Sequence, residues 1–140
     1  EMIKKNIAGV MPSHVIYSSC DQKPAGFSKF WLEGQLRKIL NFEGAIFSDD
    51  MGMKAAQIYE RDLVSRVRKC LEAGCDMVLL CNQGDYVDKV LNKLLWKQDS
   101  ISKERLSNMR RDYLKNNDGD SSELNFCYEG AKKAIKELKK

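Results

Sequence analysis

The apolar positions of this 140-residue chain come in two alternating rhythms. Short unbroken apolar runs cover residues 7 to 12 (Ile-Ala-Gly-Val-Met-Pro), Gly44 to Phe47 and Asp76 to Cys81. Runs of this kind, rich in β-branched and aromatic residues, predict strands buried on both faces. Between them the spacing becomes helical. Ser28 is a candidate N-cap for a helix of about 13 residues carrying Leu32, Leu36, Ile39 and Leu40, with Trp31 alongside as a packing residue. Residues 54 to 73 place Ala56, Tyr59, Leu63, Val67, Cys70 and Leu71 on one face, with Arg61, Arg66, Arg68 and Lys69 elsewhere, and Gly74 closes this helix. Asp85 to Trp96 predicts another, with Val87, Val90, Leu91, Leu94 and Leu95 as its stripe. Strand, helix, strand, helix, strand, helix implies an α/β fold built of right-handed βαβ units around a parallel sheet. The last third is helical: Ser102 is expected to cap a helix bearing Leu106, Met109 and Tyr113, and Asp120 with Glu123 to open a final one on Leu124, Cys127, Ala131, Ile135 and Leu138.

Against this pattern the anomaly is the end of the second run, where Phe47-Ser48 leads into Asp49 and Asp50. The carboxyl ends of parallel strands are where ligands and chemistry sit. Asp49 is therefore a candidate nucleophile; its ordinary alternative is an N-cap for the helix starting near Met53, and local sequence divides evenly between the two. Asn82, at the end of the third run, either contacts a ligand or terminates the strand. The long connection from Ser13 to Gly26 reads as part of a binding face. It holds the single histidine, His14, which is either a satisfied buried residue or part of a pocket lining.

Composition narrows the classes. With 43% hydrophobic and 31% charged residues the chain suits one globular domain. No run approaches the ~20 apolar residues of a transmembrane helix. The net charge of +4 owes much to Lys132, Lys133, Lys136, Lys139 and Lys140. Without interleaved aromatics these read as a solvated helix face, so neither nucleic acid nor membrane is expected as a partner. Cys20, Cys70, Cys75, Cys81 and Cys127 are odd in number, and suit free thiols in a reducing compartment. One histidine and no C-x-x-C pair leave no expected metal site. The chain opens on Glu1 rather than Met, with no signal-peptide pattern, as a piece of a longer protein would.

Three motifs occurring in order carry a resemblance. Met11-Pro12-Ser13-His14-Val15-Ile16-Tyr17, Ile46-Phe47-Ser48-Asp49-Asp50-Met51 and Ala73-Gly74-Cys75-Asp76-Met77-Val78-Leu79-Leu80-Cys81-Asn82 resemble successive motifs of the family 3 glycoside hydrolase β-N-acetylhexosaminidases, in particular the cytoplasmic bacterial enzymes of peptidoglycan recycling. The likeness covers about residues 7 to 97. Met51-Gly52-Met53 stands where these relatives commonly have Leu-Ser-Met.

The resemblance implies the C-terminal part of a TIM (β/α)8 barrel, about strands six to eight with their helices. Residues 1 to 97 would be a partial barrel, and residues 98 to 140 a helical extension packed on it. A whole barrel takes ~250 residues. It further implies a retaining exo-β-N-acetylglucosaminidase acting on terminal N-acetylglucosamine of peptidoglycan-derived muropeptides. Asp49 would be the nucleophile that forms a glycosyl-enzyme, no cofactor would be needed, and the acid/base loop would lie upstream of the first motif. Side chains alternate along an extended chain, so Asp50 is expected to brace the loop through backbone amides rather than share the role of Asp49. His14, Met11, Asp50, Met53 and Asn82 would surround the sugar, Met11 and Met53 chiefly by packing near it. Uncovered strand edges would pair with the N-terminal part of the barrel or with a second copy. Two other readings compete: a non-catalytic sugar-binding or assembly module derived from such a barrel, and a phosphate-binding or aldolase-type barrel piece, which would want a glycine-rich phosphate loop or a strand-end lysine.

Overall fold

In a computed structural model, which describes Ile3 and residues 7 to 82 and 84 to 117, two short strands, Gly9–Val10 (β1) and Ala45–Ile46 (β2), pair in parallel with Gly9 opposite Ala45. Gly44 is required just before β2, because a Cβ there would stand 2.5 Å from the Ala8 carbonyl oxygen. The third expected strand, Asp76 to Cys81, is instead an extended segment joined to β2 by one parallel bridge, Phe47 to Met77. Its backbone partly follows a ladder, since Asp76 N and Met77 N both donate to Ile46 O at 2.8 and 3.2 Å, and Ser48 N donates to Met77 O at 2.9 Å. Regular pairing then fails, because the Ser48 hydroxyl, not a backbone carbonyl, accepts from Leu79 N at 2.8 Å. The first expected strand, 7 to 12, is likewise reduced to two residues, as Pro12 has no N–H to give.

Between β1 and β2 the chain winds through a 3₁₀ turn, Ala25–Phe27, and a π-helix, Phe30–Ile39, at whose end Leu40 N reaches five residues back to Gln35 O. Ser28 stands at the entrance: its Oγ accepts from Trp31 N at 3.2 Å and its hydroxyl donates to the Asp21 carboxylate. That hydroxyl holds Asp21 below the usual carboxylate range. Trp31 is half-buried rather than in the core; its ring meets Tyr17 and Phe30 edge-on at 5.5 and 5.0 Å.

The single helix expected over 54 to 73 is two helices, Lys54–Tyr59 (α1) and Leu63–Ala73 (α2). Asp62 causes the break. Its Oδ2 accepts from Ser65 N at 2.8 Å and so caps α2, while Glu60 turns extended and accepts from Asp62 N at 3.1 Å. Gly74, at φ 116°, ends α2 in the left-handed conformation. Arg66, expected on the polar side, is buried among Val64, Val67 and Cys70. Two further helices follow, Gly84–Lys93 (α3), which stops short of Trp96, and Ser100–Asn117 (α4). Asp99, not Ser102, caps α4: Ser102 N donates to Asp99 Oδ1 at 2.7 Å, and Ser102 lies buried in the first turn. The expected final helix, Cys127 and the terminal lysines fall outside the described residues.

The core gathers Phe27, Leu32, Phe42, Ile46, Met51 and Val67 against the parallel segments. One buried carboxylate ties it together. Asp76 accepts from Arg37 at 2.8 Å, Arg105 at 3.1 Å, the Ser102 hydroxyl at 2.6 Å and Ile46 N at 2.8 Å. Arg37 continues the link, donating to Phe42 O and Gly44 O at 2.8 and 2.6 Å. The π-helix, β2, the third segment and α4 are thereby fastened at the amino ends of the strands. The chain divides into two compact units, Glu1–Met109 and Arg110–Lys140; every residue of the site described below lies in the first.

Candidate functional site

Because β1, β2 and the third segment run parallel, their carboxyl ends open on one side, and that side receives Met11, the Asp49-Asp50 pair and Asn82. Ser48 fixes the approach. It is fully buried, with its N–H on Met77 O and its hydroxyl on Leu79 N, so β2 is held beside the third segment up to the first carboxylate. Past the acids Met51 is again fully buried, and its N–H donates to Leu79 O at 2.9 Å. The two acids therefore form a short bulge between two anchored residues.

Within it the acids are bonded differently. Asp50 Oδ1 accepts from Gly52 N and from Cys81 N, both at 2.9 Å, bridging its own turn to the end of the third segment. The Asp50 carbonyl accepts from Met53 N at 3.1 Å and from His14 Nε2 at 3.1 Å. A carbonyl can only accept, so Nε2 is the donor of this bond. Asp49 has one hydrogen bond among the described residues, from Asp50 N to its Oδ1 at 2.8 Å. It is half-buried.

His14 is 7% exposed and stacks on Phe27 with centroids 5.4 Å apart; Phe27 in turn meets Tyr59 at 4.8 Å. Its Nδ1 is buried without a hydrogen-bond partner among the described residues. The imidazole is thus a strut from the Ser13–Gly26 connection to the acidic bulge. Met11 and Met53 are exposed, Met53 at the cap position of α1. Asn82 is exposed at φ 56°, one residue beyond the amide that holds Asp50. The structure accordingly joins His14, Asp49 and Asp50 directly and sets Asn82 next to them through Cys81.

Ser48, Phe27 and Tyr59 are the contributors that sequence reading missed. Ser48 sat in view within the motif, but a serine ending an apolar run gives no hint that its hydroxyl replaces a ladder acceptor. Among the described residues no three His, Cys, Asp or Glu side chains group in a way that would hold a metal ion. No described helix is long and apolar enough to cross a membrane.

Chemically the arrangement offers one rigidly placed loop and one carboxylate with a free oxygen at its lip. Such a group can attack or electrostatically stabilise an electron-poor carbon; Asp50, whose Oδ1 accepts two amides, is tied more firmly into the loop.

Comparison with known proteins agrees in extent with the described region. A family model described as the glycosyl hydrolase family 3 N terminal domain matches residues 1–111. A β-hexosaminidase of Thioalkalivibrio sulfidiphilus is 48% identical over 108 residues, covering 77% of this chain and 31% of that protein. The crystal structure of native NagZ from Neisseria gonorrhoeae superposes with TM-score 0.68 at 40% identity, over 77% of this chain and 30% of that one. A family 3 β-N-acetylglucosaminidase from Paenibacillus gives TM-score 0.69 at 25% identity, over 78% and 23% of the respective chains. The chain thus spans about a third of the length of the curated relatives it matches.

Proposed function

The chain belongs to glycosyl hydrolase family 3, and from that membership we propose that it forms the nucleophile-bearing part of a retaining exo-β-N-acetylglucosaminidase. Its structural neighbours in the family have TIM-barrel-like folds, and on this reading its three parallel segments are strands six to eight of such a barrel. Three parallel segments joined by helical connections support it.

The observation that carries the reading is the unequal bonding of the two acids. Asp49 keeps a carboxylate oxygen open at the carboxyl end of β2, while Asp50 is held by Gly52 N and Cys81 N. Asp49 attacks the anomeric carbon of a terminal N-acetylglucosamine, the bond to the leaving oxygen breaks as a separate acid protonates it, and water then hydrolyses the glycosyl-enzyme. His14 and Asp50 position the nucleophile; Met11, Met53 and Asn82 border the sugar. The substrate is a saccharide from peptidoglycan and the setting is the cytoplasm.

The proton donor belongs to a part of the barrel that these residues do not supply, so the chain alone is inactive and needs that part as a partner. An open groove of about 530 Å³ beside the third segment, walled by Met77, Leu79, Val87 and Leu91, supports such a partnership. The same groove is what favours the second reading, an assembly or sugar-binding module without turnover.

Hydrolysis of an aryl β-N-acetylglucosaminide separates these. The full-length enzyme should turn it over and its Asp49→Ala form should lose at least about 1,000-fold in rate. An unchanged rate in that variant would remove Asp49 from the chemistry, turnover by the 140-residue chain alone would overturn its inactivity, and binding of N-acetylglucosamine without any turnover by the full-length protein would favour the module.

A further inference from the structure

Gln57 reaches back from α1 to the turn that carries the two acids. Its Nε2 donates to the Gly52 carbonyl at 2.6 Å, five residues earlier in the chain. The backbone amide of the same residue donates to Met53 O at 3.1 Å as α1 begins. Side chain and main chain of one glutamine thus hold two successive carbonyls at the entrance of the helix.

The entrance is weakly specified otherwise. Met53, at the cap position, makes no side-chain capping bond, and a helix of six residues is too short to hold itself by propensity. Gly52 brings no side chain of its own to fix the turn. Its backbone is fixed from both sides instead: the Gly52 N–H donates to Asp50 Oδ1 at 2.9 Å, and the Gly52 carbonyl accepts from Gln57. Asp50 N in turn donates to Asp49 Oδ1 at 2.8 Å. A continuous path of hydrogen bonds therefore runs from Gln57 through Gly52 and Asp50 to the Asp49 carboxylate. His14 and the Cys81 amide hold Asp50 from the Ser13–Gly26 connection and from the third segment. Gln57 holds the turn from the helix that follows it.

We propose that Gln57 is a positioning residue for the nucleophile: by clamping the Gly52 carbonyl it fixes the direction in which the Asp49 carboxylate is presented. The inference rests on the assignment of Asp49 as nucleophile. Without the clamp the Gly52 carbonyl turns to water, the turn samples more conformations, and fewer of them aim Asp49 at the anomeric carbon. Misplacement of a reacting group by about 1 Å can cost about 100-fold in rate, so a looser turn shows first in turnover. Gln57 itself is exposed, so replacing it leaves no cavity in the core.

The test compares Gln57→Met, which keeps length and helix propensity but has no donor, with Gln57→Lys, which keeps a donor, both in the full-length enzyme acting on an aryl β-N-acetylglucosaminide. Gln57→Met should lower kcat about tenfold while KM stays within about twofold. Amide exchange in the peptide holding Gly52 and Met53 should accelerate at least about fivefold, with the melting temperature within about 2 °C of the parent. Gln57→Lys should recover at least about half of the parent kcat. An unchanged kcat in Gln57→Met, a loss confined to KM, a loss that Gln57→Lys shares in full, unchanged exchange at Gly52 and Met53, or a fall in melting temperature beyond about 5 °C, which marks a merely structural role, would each overturn the proposal. Asp49→Ala, measured alongside, separates the two failures. An active Asp49→Ala removes the nucleophile assignment and this role with it, whereas an inactive Asp49→Ala beside an unaffected Gln57→Met removes the role of Gln57 alone.

Discussion

Asp50 is bonded to Cys81 across two segments: its Oδ1 accepts the Cys81 amide at 2.9 Å while also accepting the amide of Gly52. One carboxylate oxygen thus closes the turn after β2 and joins it to the end of the third segment. Its neighbour Asp49 is left with one oxygen uncommitted. The division of labour between adjacent acids is a matter of which one the amides reach.

Asp50→Ala should release both amides. Hydrogen bonds to a charged acceptor contribute roughly 1.5–3 kcal/mol each, so a loss of about 2 kcal/mol or more in stability is expected. Exchange at the Gly52 and Cys81 amides should accelerate more than about tenfold. Asp50→Asn keeps an acceptor oxygen and should retain most of the protection; unchanged exchange at Cys81 in the alanine variant would refute the brace.

Asp76→Asn attacks the buried clamp. Two arginines, a serine hydroxyl and a backbone amide converge on a carboxylate whose side chain is 1% exposed. Removing the charge leaves Arg37 and Arg105 without their shared counter-ion, and burial already lowers the pKa of Arg37, with Arg105 adding to the effect. Breaking a buried pair this way typically costs about 3 kcal/mol or more. Urea unfolding should show the shift, with a smaller one for Arg105→Gln, whose side chain is more open to solvent.

Glu60 and Lys69 make a surface ion pair that gives a pH signature. The Lys69 ammonium, followed by the Asp62 amide, holds the Glu60 carboxyl below its ordinary value, and Glu60 raises Lys69 in return. A lowered carboxyl contributes stability above its unfolded value and loses it as pH falls through the folded one; a raised ammonium contributes below its unfolded value and loses it as pH rises through the folded one. Lys69→Met should bring Glu60 back toward the usual carboxylate range. Carboxyl NMR titration reads this directly, and added salt should shrink the effect in the parent chain.

The thiols should separate by accessibility. Cys20 and Cys81 are exposed, Cys70 and Cys75 buried, and all four are free. The Cys75 thiol is pushed well above its ordinary value, first by the neighbouring Cys70 thiol and then by burial. Mass-spectrometric mapping after brief alkylation should find Cys20 and Cys81 modified before Cys70 and Cys75. Equal labelling of Cys75 and Cys81 would contradict the packing.

Much of the frame was legible in the chain. The alternation of apolar runs and helical stripes gave the order of parallel segments and helices, Gly74 ended α2 where a left-handed residue was needed, and Asp49-Asp50 follow β2 as the motif has them. Other features were misread for identifiable reasons. Residues 54 to 73 carry one continuous apolar stripe, but Asp62 is a strong enough N-cap to restart the helix, and a stripe cannot register a cap in its middle. The third run looked like a full strand, whereas a serine hydroxyl on Leu79 N took the place of a ladder bond.

What the sequence determined by itself is periodic and local: which stretches are apolar, at what repeat, where glycine or a capping side chain ends them, and which motif places two acids after a strand. These follow from each residue's own chemistry and its near neighbours. Only the tertiary structure decided that Asp76 gathers two arginines from 39 and 29 positions away, that Arg66 turns inward unpaired, and that Asp50 rather than Asp49 meets Cys81 N. Charges and donors far apart in the chain become partners only when packing removes water from between them, and that condition belongs to the folded whole.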